Sequence, residues 1–181
     1  MTSIKNSLFI LSGIFFLFSC NNNADIQPRN DEQAVNYVEQ KPDGSIELQV
    51  KKADCYSDKV NPSTNTAEWN VTVKKSGRFN VWLTSATIDT TNLEYNNKVL
   101  LNIHDNILEA KPVINKVVRN SSEVDYPYFR ADSFMGSLYI QDTGLYAVQI
   151  ISDKIIPENQ DNNSESEKTR LLSVFLTPVV R

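Results

Sequence analysis

Along much of the chain, apolar and polar residues alternate one for one. In Glu68–Thr87 (EWNVTVKKSGRFNVWLTSAT), Trp69, Val71 and Val73 alternate with Asn70, Thr72 and Lys74. Phe79, Val81 and Leu83 then alternate with Asn80, Trp82 and Thr84. A period of two buries one face of a strand and wets the other. Between the halves Lys74-Lys75-Ser76-Gly77 breaks the pattern, and Gly77 is free to take the positive φ that turns use. The stretch predicts a hairpin with both apolar sets on one side, the seed of a sheet core.

The same alternation predicts strands at Ile46–Lys51, Val99–Ile103, Ile107–Ala110, Val113–Val118, Tyr126–Arg130, Gly136–Gln141, Leu145–Ser152 and Leu171–Val180. Polar, turn-rich loops separate them at Asp54–Ala67 and Asp89–Lys98, with tight turns at Asp105-Asn106 and Asp142-Thr143-Gly144. A polar insertion, Pro157–Lys168, carries four acidic residues. GRFNVWLTS, from Gly77, is echoed by GLYAVQIIS, from Gly144, which equivalent strands of one sandwich explain. Many short strands with turn signals between them predict an all-β, two-sheet antiparallel β-sandwich.

The first residues do not belong to this pattern. Leu8–Phe18 is a largely apolar run with Lys5 the only charge before Cys20. It is too short for a bilayer span, which needs about 20 apolar residues, but suits a secretory signal. Leu17-Phe18-Ser19-Cys20 resembles a bacterial lipobox, in which Cys20 is acylated and becomes the mature N-terminus. Residues 1–19 are therefore expected to be a signal peptide and 20–43 a flexible tether, too polar to order itself. The sandwich is expected over 44–181, after the turn Pro42-Asp43-Gly44. The location implied is the bacterial cell envelope, on the outer membrane, with membrane contact through the lipid anchor only.

A length of 181 residues suits one domain with appendages. A net charge of -4 without a basic stripe gives no electrostatic footprint for nucleic acid. Of the two cysteines, lipidation of Cys20 takes one, so no intramolecular disulfide is expected in the mature protein. His104 is the single histidine, which excludes H-E-x-x-H and other two-histidine zinc sites, and no G-x-S-x-G occurs. No pair of carboxylates stands out for glycosidase chemistry. A non-enzymatic role is the expectation.

W-x-V-x-V at Trp69, the turn with Gly77, and F-x-V-x-L-x-x-A at Phe79 resemble the galactose-binding-like jelly roll, which includes the family 6 and family 35 carbohydrate-binding modules. Gly136 with Leu138 and Ile140, Gly144 with Tyr146, and Leu172, Val174, Leu176 and Pro178 agree, so the resemblance spans Gly44 to Val180. It implies sugar binding on loops at one end, through aromatics with Asn or Asp, or on the concave sheet face. It also implies a structural calcium ion, for which no ligands can be assigned.

Two candidate sites follow. Trp82, Leu100, His104, Tyr139, Ile151 and Phe175 should point away from the core set of Val81, Leu101, Ile140, Ile150 and Val174. They form either a second buried layer under Ala34–Val38 or a platform. On such a platform a pyranose stacks on Trp82 while Asn80, Asn102 or Gln149 binds hydroxyls. The second site is the loop tyrosines Tyr56, Tyr95, Tyr126 and Tyr128, which suit sugar or protein contact or simply cap the sandwich. Asp161, Asn163 and Glu165 in the insertion are weak calcium candidates, lacking the glycine of an EF-hand loop. The expected partner is a glycan or polysaccharide, beside a neighbouring envelope enzyme or transporter. The competing readings are a structural or protein-interaction lipoprotein, with a broad flat apolar patch, and a small hydrolase, with a paired-carboxylate cleft.

Overall fold

The computed structural model describes residues 36–156 and 168–179. The expected signal peptide, Cys20 and the calcium candidates Asp161, Asn163 and Glu165 lie outside the described residues. The strands are β1 (Tyr37–Glu39), β2 (Ile46–Gln49), β3 (Asp54–Tyr56), β4 (Thr66–Val73), β5 (Gly77–Thr87) and β6 (Val99–Ile103). They continue with β7 (Asn106–Ala110), β8 (Lys116–Val118), β9 (Phe129–Ile140), β10 (Gly144–Ile151) and β11 (Thr169–Pro178).

Two sheets form the expected β-sandwich. The first has the order β1-β4-β10-β6-β7, with β3 sharing the far edge of β4 with β1; the second has the order β2-β11-β5-β9-β8. Pairing is antiparallel except between β1 and β4. The echoed segments from Gly77 and Gly144 become β5 and β10, and each is central in its own sheet. The core set Val81, Leu101, Ile140, Ile150 and Val174 is buried, with Trp69, Phe79 and Leu83.

The expected hairpin at Glu68–Thr87 is corrected. Its strands, β4 and β5, lie in different sheets. Their apolar faces meet across the sandwich instead of lying side by side. Alternation with period two says which face is buried but not which strand is the hydrogen-bonded neighbour. Trp69 links the layers, because its indole Nε1 donates to the carbonyl of Gln49, at the end of β2, at 3.0 Å.

The boundary at residue 44 also moves. Residues 36–43, expected to be tether, belong to the sandwich. Buried Gln40 uses both ends of its amide there. Its Nε2 donates to the carbonyls of Gly44 (2.7 Å) and Lys75 (3.1 Å). Its Oε1 accepts from the backbone N–H groups of Lys74 (2.8 Å) and Lys75 (2.6 Å). One side chain thus fixes both the Pro42–Gly44 turn and the connection between the sheets. The segment lies along the edge of β4 and does not cover a sheet face.

Smaller differences bear on the site. The hairpin turn between β6 and β7 is His104-Asp105, one residue earlier than expected, with His104 at φ 53°. The strand expected from Val113 begins only at Lys116, and one strand, β9, joins the end of the strand expected at Tyr126–Arg130 to most of that expected at Gly136–Gln141.

Candidate functional site

The outer face of the second sheet carries a line of aromatic side chains. Phe175 on β11 is in register with Trp82 on β5, and Trp82 with Phe134 on β9. The Trp82 and Phe134 ring centres are 5.1 Å apart with planes tilted by 52°. Phe134 is 41% exposed, while Trp82 and Phe175 are half-buried. Glu47 on β2 continues the line beyond Phe175.

Polar rows flank the aromatics on both sides, each one strand pleat away, about 6.6 Å. On one side lie Asn80, Ser137 and Thr177. Ser137 Oγ donates to Asn80 Oδ1 at 2.6 Å, which leaves the Asn80 amide N–H donors for another acceptor. On the other side lie Thr84, Asp132 and Ser173. Asp132 Oδ1 accepts from Thr84 Oγ1 at 3.1 Å and from Arg130 Nε at 2.9 Å. Arg130 reaches Glu123 as well, at 3.0 Å. Burial works against the charge on Arg130, but Asp132 and Glu123 outweigh it and hold the guanidinium above its ordinary value.

Two cations lie against the aromatic line. Lys41 Nζ is 5.8 Å and Arg130 Cζ 6.0 Å from the centre of the Phe175 ring. Lys41 is paired with Glu47 at 2.5 Å. Burial pushes the Glu47 carboxyl up, but bonds from Lys41 and Gln49 prevail and hold it below the usual range. Beyond Glu47 and Ser173 the face opens into a cleft of about 640 Å³ whose walls include Gln49, Ser122, Glu123, Arg170 and Leu172. Half-buried Cys55 lies on its inner wall. At this end of the sheet the outward residues Thr84 and Ala86 are buried, and Glu123 and Tyr128 reach the face through Arg130 and Arg170.

A bulge puts Phe134 on this line. The register of β9 shifts between the partners of Val81 and Trp82, so that Met135 turns inward and Phe134 outward. Gly136, opposite Val81, has φ 129°, and a Cβ there would stand 3.0 Å from Leu108 Cδ1. Gly136→Ala is expected to cost about 1–3 kcal/mol, measured by chemical unfolding, because it strains the backbone and crowds Leu108.

The proposed single platform is corrected, since its members divide between opposite faces of the sandwich. Trp82, Asn80, Tyr139 and Phe175 are on the second sheet, whereas Asn102, Gln149, Leu100 and Ile151 face outward from the first. Gln149 Nε2 there donates to Glu68 at 2.9 Å. His104 is exposed in the β6–β7 turn, 3.1 Å from Asp105, and belongs to the first sheet's end. Tyr139 is exposed beside Arg78, beyond the Asn80 row.

The loop tyrosines do not converge either. Tyr56 is on β3 at the edge of the first sheet. Tyr126 is 92% exposed, and Tyr128 lies under the Arg170 guanidinium at 5.0 Å. Tyr95 is buried, its hydroxyl 2.8 Å from Ser85 Oγ. Burial raises its phenol well above the ordinary 10.0, against the smaller opposing effect of Ser85. A raised folded-state value gives stability that is complete below pH 10.0 and is lost as pH climbs toward the folded value. Tyr95→Phe should therefore flatten the alkaline loss of stability above that pH. At neutral pH it should cost about 1–3 kcal/mol, because Ser85 loses a buried partner. Urea unfolding at both pH values checks both effects.

Among the described residues no three His, Cys, Asp or Glu side chains are grouped to hold a metal ion.

No protein-family model matches the sequence, and no curated protein is similar to it. Among solved structures, the chain is similar to part of an α-L-fucosidase from Vibrio sp. strain EJY3, with 18% identity, a TM-score of 0.62, and coverage of 79% of this chain and 24% of that one. It is also similar to part of a GH26-CBM35 β-(1,4)-mannanase from Podospora anserina, with 10% identity, a TM-score of 0.45, and coverage of 77% and 28%. An insecticidal crystal protein has 14% identity, a TM-score of 0.47, and coverage of 78% and 22%. The chain thus spans about a quarter of the length of these proteins. The first likeness supports the sandwich fold.

Sequence reasoning missed Phe134, Asp132 and Arg130 as parts of this face. A signal was present: an isolated glycine inside a strand pattern, here Gly136, marks a bulge.

Proposed function

We propose that this protein is a non-catalytic carbohydrate-binding lipoprotein of the bacterial envelope, whose ligand stacks on the outer face of the second sheet. The observation that carries the reading is the in-register line Phe175–Trp82–Phe134 between two polar rows. Aromatic faces take the apolar faces of pyranose rings, and the Asn80 amide, the Ser137 and Thr177 hydroxyls, and Asp132 are placed for sugar hydroxyls. The fold likeness to part of a fucosidase is compatible with this. The anchor rests on the sequence around Cys20, and the role of holding glycan near an envelope enzyme or transporter follows from it.

Intrinsic fluorescence tests the binding. Of the two tryptophans, Trp69 is fully buried and Trp82 stands on the site. Titration with soluble neutral polysaccharides should perturb emission, and Trp82→Phe should remove the response. Emission unchanged at saturating concentrations of every polysaccharide would count against the reading.

A further inference from the structure

Resting on the carbohydrate reading of the same face, we propose that the ligand is an internal stretch of one uncharged glycan chain, lying across the strands. The direction comes from the register. Phe175, Trp82 and Phe134 stand on three adjacent strands, one directly beside the next. Adjacent strands are about 4.8 Å apart, so the line spans about 9.6 Å from β11 to β9, more than a single pyranose ring fills. The line begins beside β2, the edge strand of the sheet. It ends at Phe134, because β8 pairs only with Arg130–Asp132. A chain can continue past both ends, so neither terminus is needed for recognition.

The single chain follows from the ring planes. A tilt of 52° between Trp82 and Phe134 prevents both rings from lying flat on one crystalline surface, but it suits successive sugars that rotate along a chain.

The absence of ligand charge follows from how the cations are used. Lys41 is paired with Glu47, and Arg130 with Asp132 and Glu123. Arg78 lies four positions along β5 from Trp82, about 13 Å away and past the Asn80 row. A carboxylated chain on the line would meet Asp132 and Glu47, while the exposed cations Lys116, beside Asp132 on β8, and Arg170, over Tyr128, stand off the line in the rows on the cleft side. Neutral hydroxyls find the Asn80 amide and the Ser137 and Thr177 hydroxyls.

Calorimetric titration of the protein tests each part. The probes are neutral glucan, mannan and xylan oligosaccharides from monosaccharide to hexasaccharide, the same oligosaccharides with borohydride-reduced ends, polygalacturonate, and crystalline cellulose by pull-down. Affinity is expected to rise about tenfold or more from monosaccharide to trisaccharide, equal to at least about 1.4 kcal/mol. Reduced ends should bind equally, and polygalacturonate and crystalline cellulose weakly or not at all. Phe134→Ala should cut the gain from added sugars. A monosaccharide that binds as tightly as a trisaccharide, loss of binding on end reduction, or preference for polygalacturonate or crystalline cellulose would overturn the inference and leave carbohydrate binding standing. No binding by any probe would remove both.

Discussion

Trp82→Ala is expected to weaken glycan binding by about 30-fold or more and leave the protein folded. Trp82 is the central ring of the line, in register with Phe175 on one side and Phe134 on the other. Truncating the central aromatic of a binding surface costs about 2 kcal/mol or more, and each 1.4 kcal/mol is a factor of ten. The fold should tolerate the change because the side chain points away from the core and its contacts are on the outer face. A loss of about 1 kcal/mol in unfolding free energy is expected. Binding and unfolding curves on the same sample separate the two effects.

Trp69→Ala is expected to do the opposite, with its main effect on stability. Trp69 is fully buried, and its indole N–H is tied to Gln49 in the opposite sheet. Removing a buried tryptophan costs about 3–5 kcal/mol through lost burial and the cavity left behind. The Gln49 carbonyl also loses its indole donor. A large share of a domain's typical stability, about 5–15 kcal/mol, would be lost. Chemical unfolding should show the fall directly. A loss below about 1 kcal/mol would contradict the role assigned to Trp69 between the layers.

The contrast between these two residues shows what the sequence carried. Alternation placed Trp69 inward and Trp82 outward correctly, because a side-chain period of two is a local property. It could not show that β4 and β5 belong to different sheets, since partner choice is a long-range property. For the same reason alternation does not separate Asn102 and Gln149 from Trp82, although a whole sandwich lies between them. Phe134 was lost at the bulge: extending the pattern back from Ile140 and Leu138 puts it inside, and the shift at Gly136 reverses it. The role of residues 36–43 was hidden because it rests on the pairing of β1 with β4 and the four hydrogen bonds of Gln40, with little apolar burial beyond Val38. Tyr95 sat in a polar loop, and only the folded chain reveals its buried contact with Ser85.

The most direct test of the central claim is affinity electrophoresis through gels containing soluble neutral polysaccharides. It would compare the protein with Trp82→Ala and with Gln149→Ala, which alters the opposite face. The account predicts retardation of the protein and of Gln149→Ala alike in at least one polysaccharide, with Trp82→Ala migrating as it does in a plain gel. Retardation lost in Gln149→Ala but kept in Trp82→Ala, or no retardation in any polysaccharide, would contradict it.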